Sequence, residues 1–181
     1  MRAALLLASA LLAGPVSAQA APSCGGWPAL PVRTPDGWCV GVVATASDGL
    51  RMPRTVLWQA RRGDVDELLV VDMGNWEPRR GRLLRLEVPA EGRPRVAEVL
   101  RGLDRPHGLL PAPGGGAYVA ETTRILRVEP GGRPPAVLVD NLPAEGRHPV
   151  KALALGADGR LLVNVGAPTD RCEGTGGVGT D

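Results

Sequence analysis

The sequence predicts an all-β fold assembled from a repeated unit, and three observations carry that expectation. Between about residues 50 and 170, apolar residues come in short Val- and Leu-rich runs separated by Gly, Pro and Asp-Gly, with no helical periodicity. Three of these runs recur as a set: 68–72 (Leu-Leu-Val-Val-Asp), 117–121 (Ala-Tyr-Val-Ala-Glu) and 161–165 (Leu-Leu-Val-Asn-Val). They begin roughly 49 and then roughly 44 residues apart, within the period of propeller blades. Their surroundings recur as well. Residues 53–57 before the first run match 106–110 before the second, and 82–87 after the first match 124–129 after the second. A β-sandwich would also give short strands at regular spacing, but it would not require this recurrence of strand content. The expectation is therefore a β-propeller, with about the first three blades present.

The N-terminus sets the compartment. Met1-Arg2 supplies one positive charge, residues 3–12 are small and apolar, and Gly14-Pro15 breaks the run. Small residues follow at the spacing a signal peptidase reads, so cleavage is expected after Ala18 or Ala20. The apolar stretch is shorter than the roughly 20 residues that span a bilayer, which argues for a secretory signal over an N-terminal anchor. The reading divides the chain into a signal peptide (1–20), a cysteine-bridged segment (21–50) and an incomplete propeller (51–181), located in the periplasm or outside the cell. No later segment is apolar for long enough to span a membrane.

Cys24 and Cys39 flank a Pro/Gly-rich stretch, and in an oxidising compartment this separation favours a disulfide. Closing such a loop contributes on the order of 3 kcal/mol. Cys172 is left over, and an odd cysteine in an exported chain suggests a partner elsewhere.

Along the repeats, residues 82–87 and 124–129 partly alternate apolar and charged side chains, as a strand does with one face buried and one wet. Residues 96–100 and 136–139 follow as the next, outer strands. A propeller closes with 4–8 four-stranded blades. About three are expected here, and the sequence runs out in a glycine-rich stretch, 173–181. The chain therefore reads as part of a longer protein.

Composition excludes other classes. Formal net charge is +2, and the arginines are scattered rather than gathered in a stripe. A nucleic-acid surface needs a concentrated basic footprint. Two histidines and three scattered cysteines make no zinc pattern.

The stretch 148–166, His-Pro-Val-Lys-Ala-Leu-Ala-Leu-Gly-Ala-Asp-Gly-Arg-Leu-Leu-Val-Asn-Val-Gly, places a histidine ahead of a strand, then Gly-x-Asp, then a second strand ending in glycine. In the order His148, Gly156, Asp158, Gly166 it resembles a segment of the soluble glucose and sorbosone dehydrogenases. Residues 105–110, 118–121 and 124–128 resemble that family's preceding blade, and the resemblance covers about residues 50–172. It implies a six-bladed propeller carrying pyrroloquinoline quinone and calcium, with a sugar or aldehyde as substrate. It also implies that His148 is the general base, taking the hydroxyl proton as a hydride passes to the quinone. An imidazole suits that task because its unperturbed pKa lies near neutrality. The quinone carries the redox chemistry, and the cation stabilises charge developing on it. Two positions depart from the family pattern. Arg147 stands where an aspartate precedes the base, and Ala167 stands where another follows the glycine. Asp170 is near enough in sequence to substitute. The cofactor and calcium ligands are expected in later blades.

From the residues alone, His148 reads either as that base or as a loop histidine between blades. His107, opposite Arg54 in the preceding repeat, reads as a strand-entry residue, with facing a ligand as a lesser alternative. Gly174, Gly176 and Gly179 spell G-x-G-x-x-G without the βαβ setting a dinucleotide site needs. Asp158-Gly159 reads as a hairpin turn, and Asp72 and Glu121 as carboxylates at blade turns with calcium ligation as a lesser alternative. Trp76 either packs between blades or lines their face, while Arg61-Arg62 and Arg79-Arg80 read as solvated loop charges. Two functional classes remain open beside the dehydrogenase. One is an exported propeller that binds a ligand or protein without catalysis. The other is a calcium-dependent lactonase-type hydrolase.

Overall fold

The computed structural model describes residues 22–169. The expected leader at 1–20, Asp170, Cys172 and the Gly174/Gly176/Gly179 motif lie outside the described residues. The chain divides into two units, Met1–Gly41 and Val42–Asp181.

In the first unit, strands β1 (Ser23–Cys24) and β2 (Trp27–Pro28) pair antiparallel around the Gly25-Gly26 turn, with Cys24 opposite Trp27. Ala29 bridges to Gly41. Cys24 and Cys39 are joined as a disulfide with their Cα atoms 5.7 Å apart, as the sequence predicts. With two residues per strand, the cross-link supplies what the short ladder cannot.

The second unit is all-β, and no α-helix occurs among the described residues. A single 3-10 turn, Ala46–Asp48, leads in. Thr45 and Asp48 close it as a capping box. The first sheet follows as an antiparallel meander of β3 (Pro53–Arg62), β4 (Val65–Asp72), β5 (Gly81–Pro89) and β6 (Arg95–Leu103). The second sheet repeats the pattern with β7 (Gly108–Pro111), β8 (Ala117–Ala120), β9 (Ile125–Val128) and β10 (Ala136–Val139). A third, two-stranded sheet pairs β11 (Leu153–Leu155) with β12 (Leu161–Val163). Each sequence run expected to be a strand is one.

The residues explain the stacking. Strands β4 and β5 are apolar on both faces, so successive side chains feed two cores. Val71 and Leu83 point one way, into a cluster with Leu103, Leu109, Ala117, Val119, Leu126 and Val128 that joins the first sheet to the second. Val70, Leu84 and Leu86 point the other way, under Ala44, Leu50 and Val96. Full burial of one such side chain is worth roughly 1.5–3 kcal/mol, so these two layers dominate the fold. The opening strands of successive sheets are neighbours, β3 beside β7 and β7 beside β11. Thr55 Oγ1 donates to the His107 carbonyl at 2.6 Å across the first of these junctions. At the second, Gly108 lies against Leu153, and a Cβ on residue 108 would come within 2.8 Å of the Leu153 side chain.

Candidate functional site

Antiparallel connectivity sorts the loops of the second unit to two ends. Tight hairpins gather at one: Gly63-Asp64, Gly114–Gly116 and the Gly156–Arg160 turn. At the other lie the segment 73–80, the inter-sheet loop 104–107, the crossing 121–124 and the long connection 140–152. Asp72, Glu121, His107 and His148 lie at this second end, because they stand where strands β7 and β11 are entered and β4 and β8 finish.

A side-chain acceptor stands at the exit of the second strand in each of the three sheets of the second unit. Asp72, fully buried, accepts from the backbone N–H groups of Met52 (2.7 Å), Arg51 (3.1 Å) and Gly74 (3.1 Å), and from Arg82. Glu121, also fully buried, accepts from the Asp104 N–H at 2.6 Å and pairs with Arg124 at 2.6 Å. In the third sheet Asn164 Oδ1 accepts from the Ala152 N–H. Each ties the segment entering the first strand to the end of the second. Burial by itself would raise the Asp72 carboxyl, but the hydrogen bonds to Met52, Gly74, Arg82 and Arg51 outweigh it and hold the group below the ordinary carboxylate range. These carboxylates are therefore committed to backbone amides and guanidinium groups. Among the described residues no three His, Cys, Asp or Glu side chains converge as a metal site. Asp72 and Glu121 therefore do not form part of a calcium cage among the described residues.

His107 opens β7, donating its backbone N–H to Ala120 at 3.0 Å. It is half-buried. Desolvation, reinforced by the nearby Arg54 charge and opposed by a bond to the Lys151 backbone, lowers its pKa from the usual histidine value. Nδ1 is buried with no hydrogen-bond partner. The repeat alignment that set His107 opposite Arg54 thus corresponds to proximity in space.

His148 lies in the connection before β11 with its side chain on the surface. Its backbone is held on several sides. The Arg147 N–H donates to the Pro168 carbonyl at 3.0 Å. A Cβ at residue 166 would collide with the His148 carbonyl, so Gly166 is the residue that lets the two chains meet. Pro149 follows, which confines His148 to extended backbone. The two ends of the 148–166 motif are therefore in contact. Its middle is not at this end: Asp158 accepts from the Arg160 N–H in the turn between β11 and β12, and the Gly159 N–H returns to the Gly156 carbonyl. This is the hairpin turn expected. Trp76, in the segment between β4 and β5, is 54 % exposed, and so packs little against its neighbours. Arg79 and Arg80 are exposed in the segment before β5, as read from the sequence, whereas Arg61 and Arg62, also exposed, are not in a loop but end strand β3, where they pair with Asp66 and Glu67 across the hairpin.

Sequence reasoning passed over Lys151. It is the single lysine among the 21 basic residues of the chain, and it is 1 % exposed. Its Nζ donates to the Pro149 carbonyl at 2.7 Å. Burial, reinforced by the Arg105 charge and opposed by Glu145, pushes the amine below the usual lysine value. The signal that could have found it is compositional. Where arginine is used everywhere else, a lone lysine marks a place where a rigid planar fork is not interchangeable with a compact ammonium.

A groove of about 620 Å³ runs between the first and second sheets near Arg62, Glu67, Glu98 and Gly132, at the hairpin end and away from these residues. No helix among the described residues is long and apolar enough to cross a membrane. Comparison with protein-family models, curated proteins and solved structures finds no match to this chain.

Proposed function

We propose that this chain forms the opening blades of an exported propeller that acts as a quinone-dependent dehydrogenase on a sugar or aldehyde. Its described part contributes His148 as the acceptor of the substrate's hydroxyl proton. The observation that carries the reading is the closure of the 148–166 motif: His148 lies against Gly166, at the end of the unit where the inter-sheet loops gather. The propeller itself is supported by two successive four-stranded meanders whose opening strands are neighbours, the way blades surround an axis. Export to an oxidising compartment is supported by the Cys24–Cys39 cross-link and by the charge-apolar-small order of the first 20 residues. A surface imidazole on rigid backbone can meet a hydroxyl from solvent and pass the proton on without unfolding its surroundings.

The binding-only reading draws on a specific pair of positions. Arg147 and Ala167 stand where the resembled family has aspartates, so this sequence departs from that family at both positions flanking the motif. One assay separates the two. The full-length protein, supplied with pyrroloquinoline quinone and calcium, is assayed for dye reduction with a panel of aldoses and aldehydes, beside His148→Ala. Reduction that needs both additions and drops at least about 100-fold in the variant supports the dehydrogenase, since general-base catalysis typically contributes that much. Absence of quinone binding and of turnover with every substrate would sink it and leave a binding scaffold.

A further inference from the structure

The geometry points to Lys151 as the residue that positions His148, by anchoring the His148-Pro149 segment through the Pro149 carbonyl. This rests on the reading of His148 as the proton acceptor, which makes its placement matter. The anchor is built from several contacts. Lys151 Nζ donates to the Pro149 carbonyl at 2.7 Å from a site that is 1 % exposed, so water does not compete for the bond. Proline at 149 fixes its own φ and confines residue 148 to extended backbone, leaving the rotation that the Pro149 carbonyl reports as the main remaining freedom. Gly166 presses on the His148 carbonyl from the other side, and the Arg147 N–H is fixed on Pro168. The Lys151 backbone in turn lies against Gly108, where a Cβ would come within 2.8 Å of the Lys151 carbonyl. Lys151 therefore links the loop that presents His148 to the entry of the neighbouring sheet.

The residue type fits the role. An arginine at 151 would need room for a planar fork with five donors, whereas the site offers the one carbonyl acceptor among the described residues. The charged groups that face the amine are Arg105 from the loop before β7 and Glu145 from the connection before β11. Lys151→Met keeps the side-chain length and removes a buried charge with its desolvation cost, so it is expected to keep the fold.

The test uses the full-length chain and needs no turnover. In ring-labelled protein, the imidazole signal lost in His148→Gln is that of His148. In Lys151→Met the His148 ring is expected to lose its single ordered environment, seen as a changed shift and faster ring relaxation, while circular dichroism stays native. A second measurement leaves the protein unaltered. Lysine-specific ¹⁵N labelling reports the side-chain amines, and the signal lost in Lys151→Met is that of Lys151. As rising pH discharges that amine, the His148 ring should shift with the same midpoint. If the quinone assay succeeds, kcat in Lys151→Met should fall roughly 10- to 100-fold with KM little changed, the cost of a displaced catalytic group. A His148 ring unmoved both in a folded Lys151→Met and across the lysine titration would overturn the assignment. Failure of the quinone assay alone would overturn the dehydrogenase reading and leave the positioning result standing.

Discussion

Asp72 and Glu121 occupy the same station one sheet apart, and the chemistry around them is the same: a buried carboxylate takes backbone N–H groups from the segment ahead of the first strand and pairs with an arginine at the entry of the third. Removing one such acceptor leaves its donors without a partner. Asp72→Asn is therefore expected to destabilise the second unit by about 2 kcal/mol at neutral pH, the scale of hydrogen bonds to a charged group. The pH dependence has a definite sign. The folded-state pKa of Asp72 is depressed, so its stabilisation is complete above the ordinary carboxylate value of roughly 3.9 and is lost as pH falls through the lower, folded value. Urea denaturation from pH 7 down to pH 2 should show the gap between wild type and Asp72→Asn closing at the acid end. A gap independent of pH would mean that the carboxylate's charge is not what holds the turn. At this scale the sequence was only partly legible. The repeat picked out Asp72, Glu121 and the His107–Arg54 pairing, because those residues sit at fixed offsets from apolar runs. It gave no hint of Lys151, whose burial depends on how residues 140–152 fold back rather than on any local period.

Strands were far more legible than the links between them. Every expected strand is present because short Val- and Leu-rich runs between Gly and Pro can bury themselves only as paired strands. The ends moved where polar residues continued the pairing: β3 runs on to Arg62, with Trp58 Nε1 donating to Asp66 across the hairpin at 3.1 Å. The junctions between sheets were not legible, since they depend on which side chains are missing. Gly108 is one such place, with its β-carbon position within 2.8 Å of both the Leu153 side chain and the Lys151 carbonyl. Gly108→Ala is expected to cost about 1–3 kcal/mol, as overpacking does. Leu83→Ala, fully buried in the layer between the first two sheets, should cost about 2–5 kcal/mol by opening a cavity there. Thermal unfolding of both variants checks the pair. An unchanged melting temperature for Gly108→Ala would mean that β7 and β11 do not meet in solution as they do in this fold.

Across the second unit, apolar burial is graded along the chain, and the grading predicts which parts open first. The inner strands of the first two sheets hold the residues with least exposure, Val71, Leu83, Val119 and Ala120 all at 0 %. The last strand of the second sheet holds little: Val137, Leu138 and Val139 are 51 %, 48 % and 36 % exposed. In the third sheet Leu155 and Leu162 are 42 % and 53 % exposed, in strands of three residues each. In a stack where each unit contacts mainly its neighbours, local stability follows the nearest-neighbour contacts. Amide exchange should accordingly be slowest in β4, β5 and β8, faster in β10, and fastest in β11 and β12. The same exposed valines and leucine make β10 an unguarded edge, the kind that pairs with another chain. Placing a charge there, as in Leu138→Lys, should reduce self-association measured by light scattering while leaving exchange in β4 and β5 unchanged, because the side chain removed touches neither core layer. Uniform exchange across all ten strands of the second unit, or faster exchange in β4 on altering Leu138, would show instead that the unit opens all at once and that its sheets share a single cooperative core.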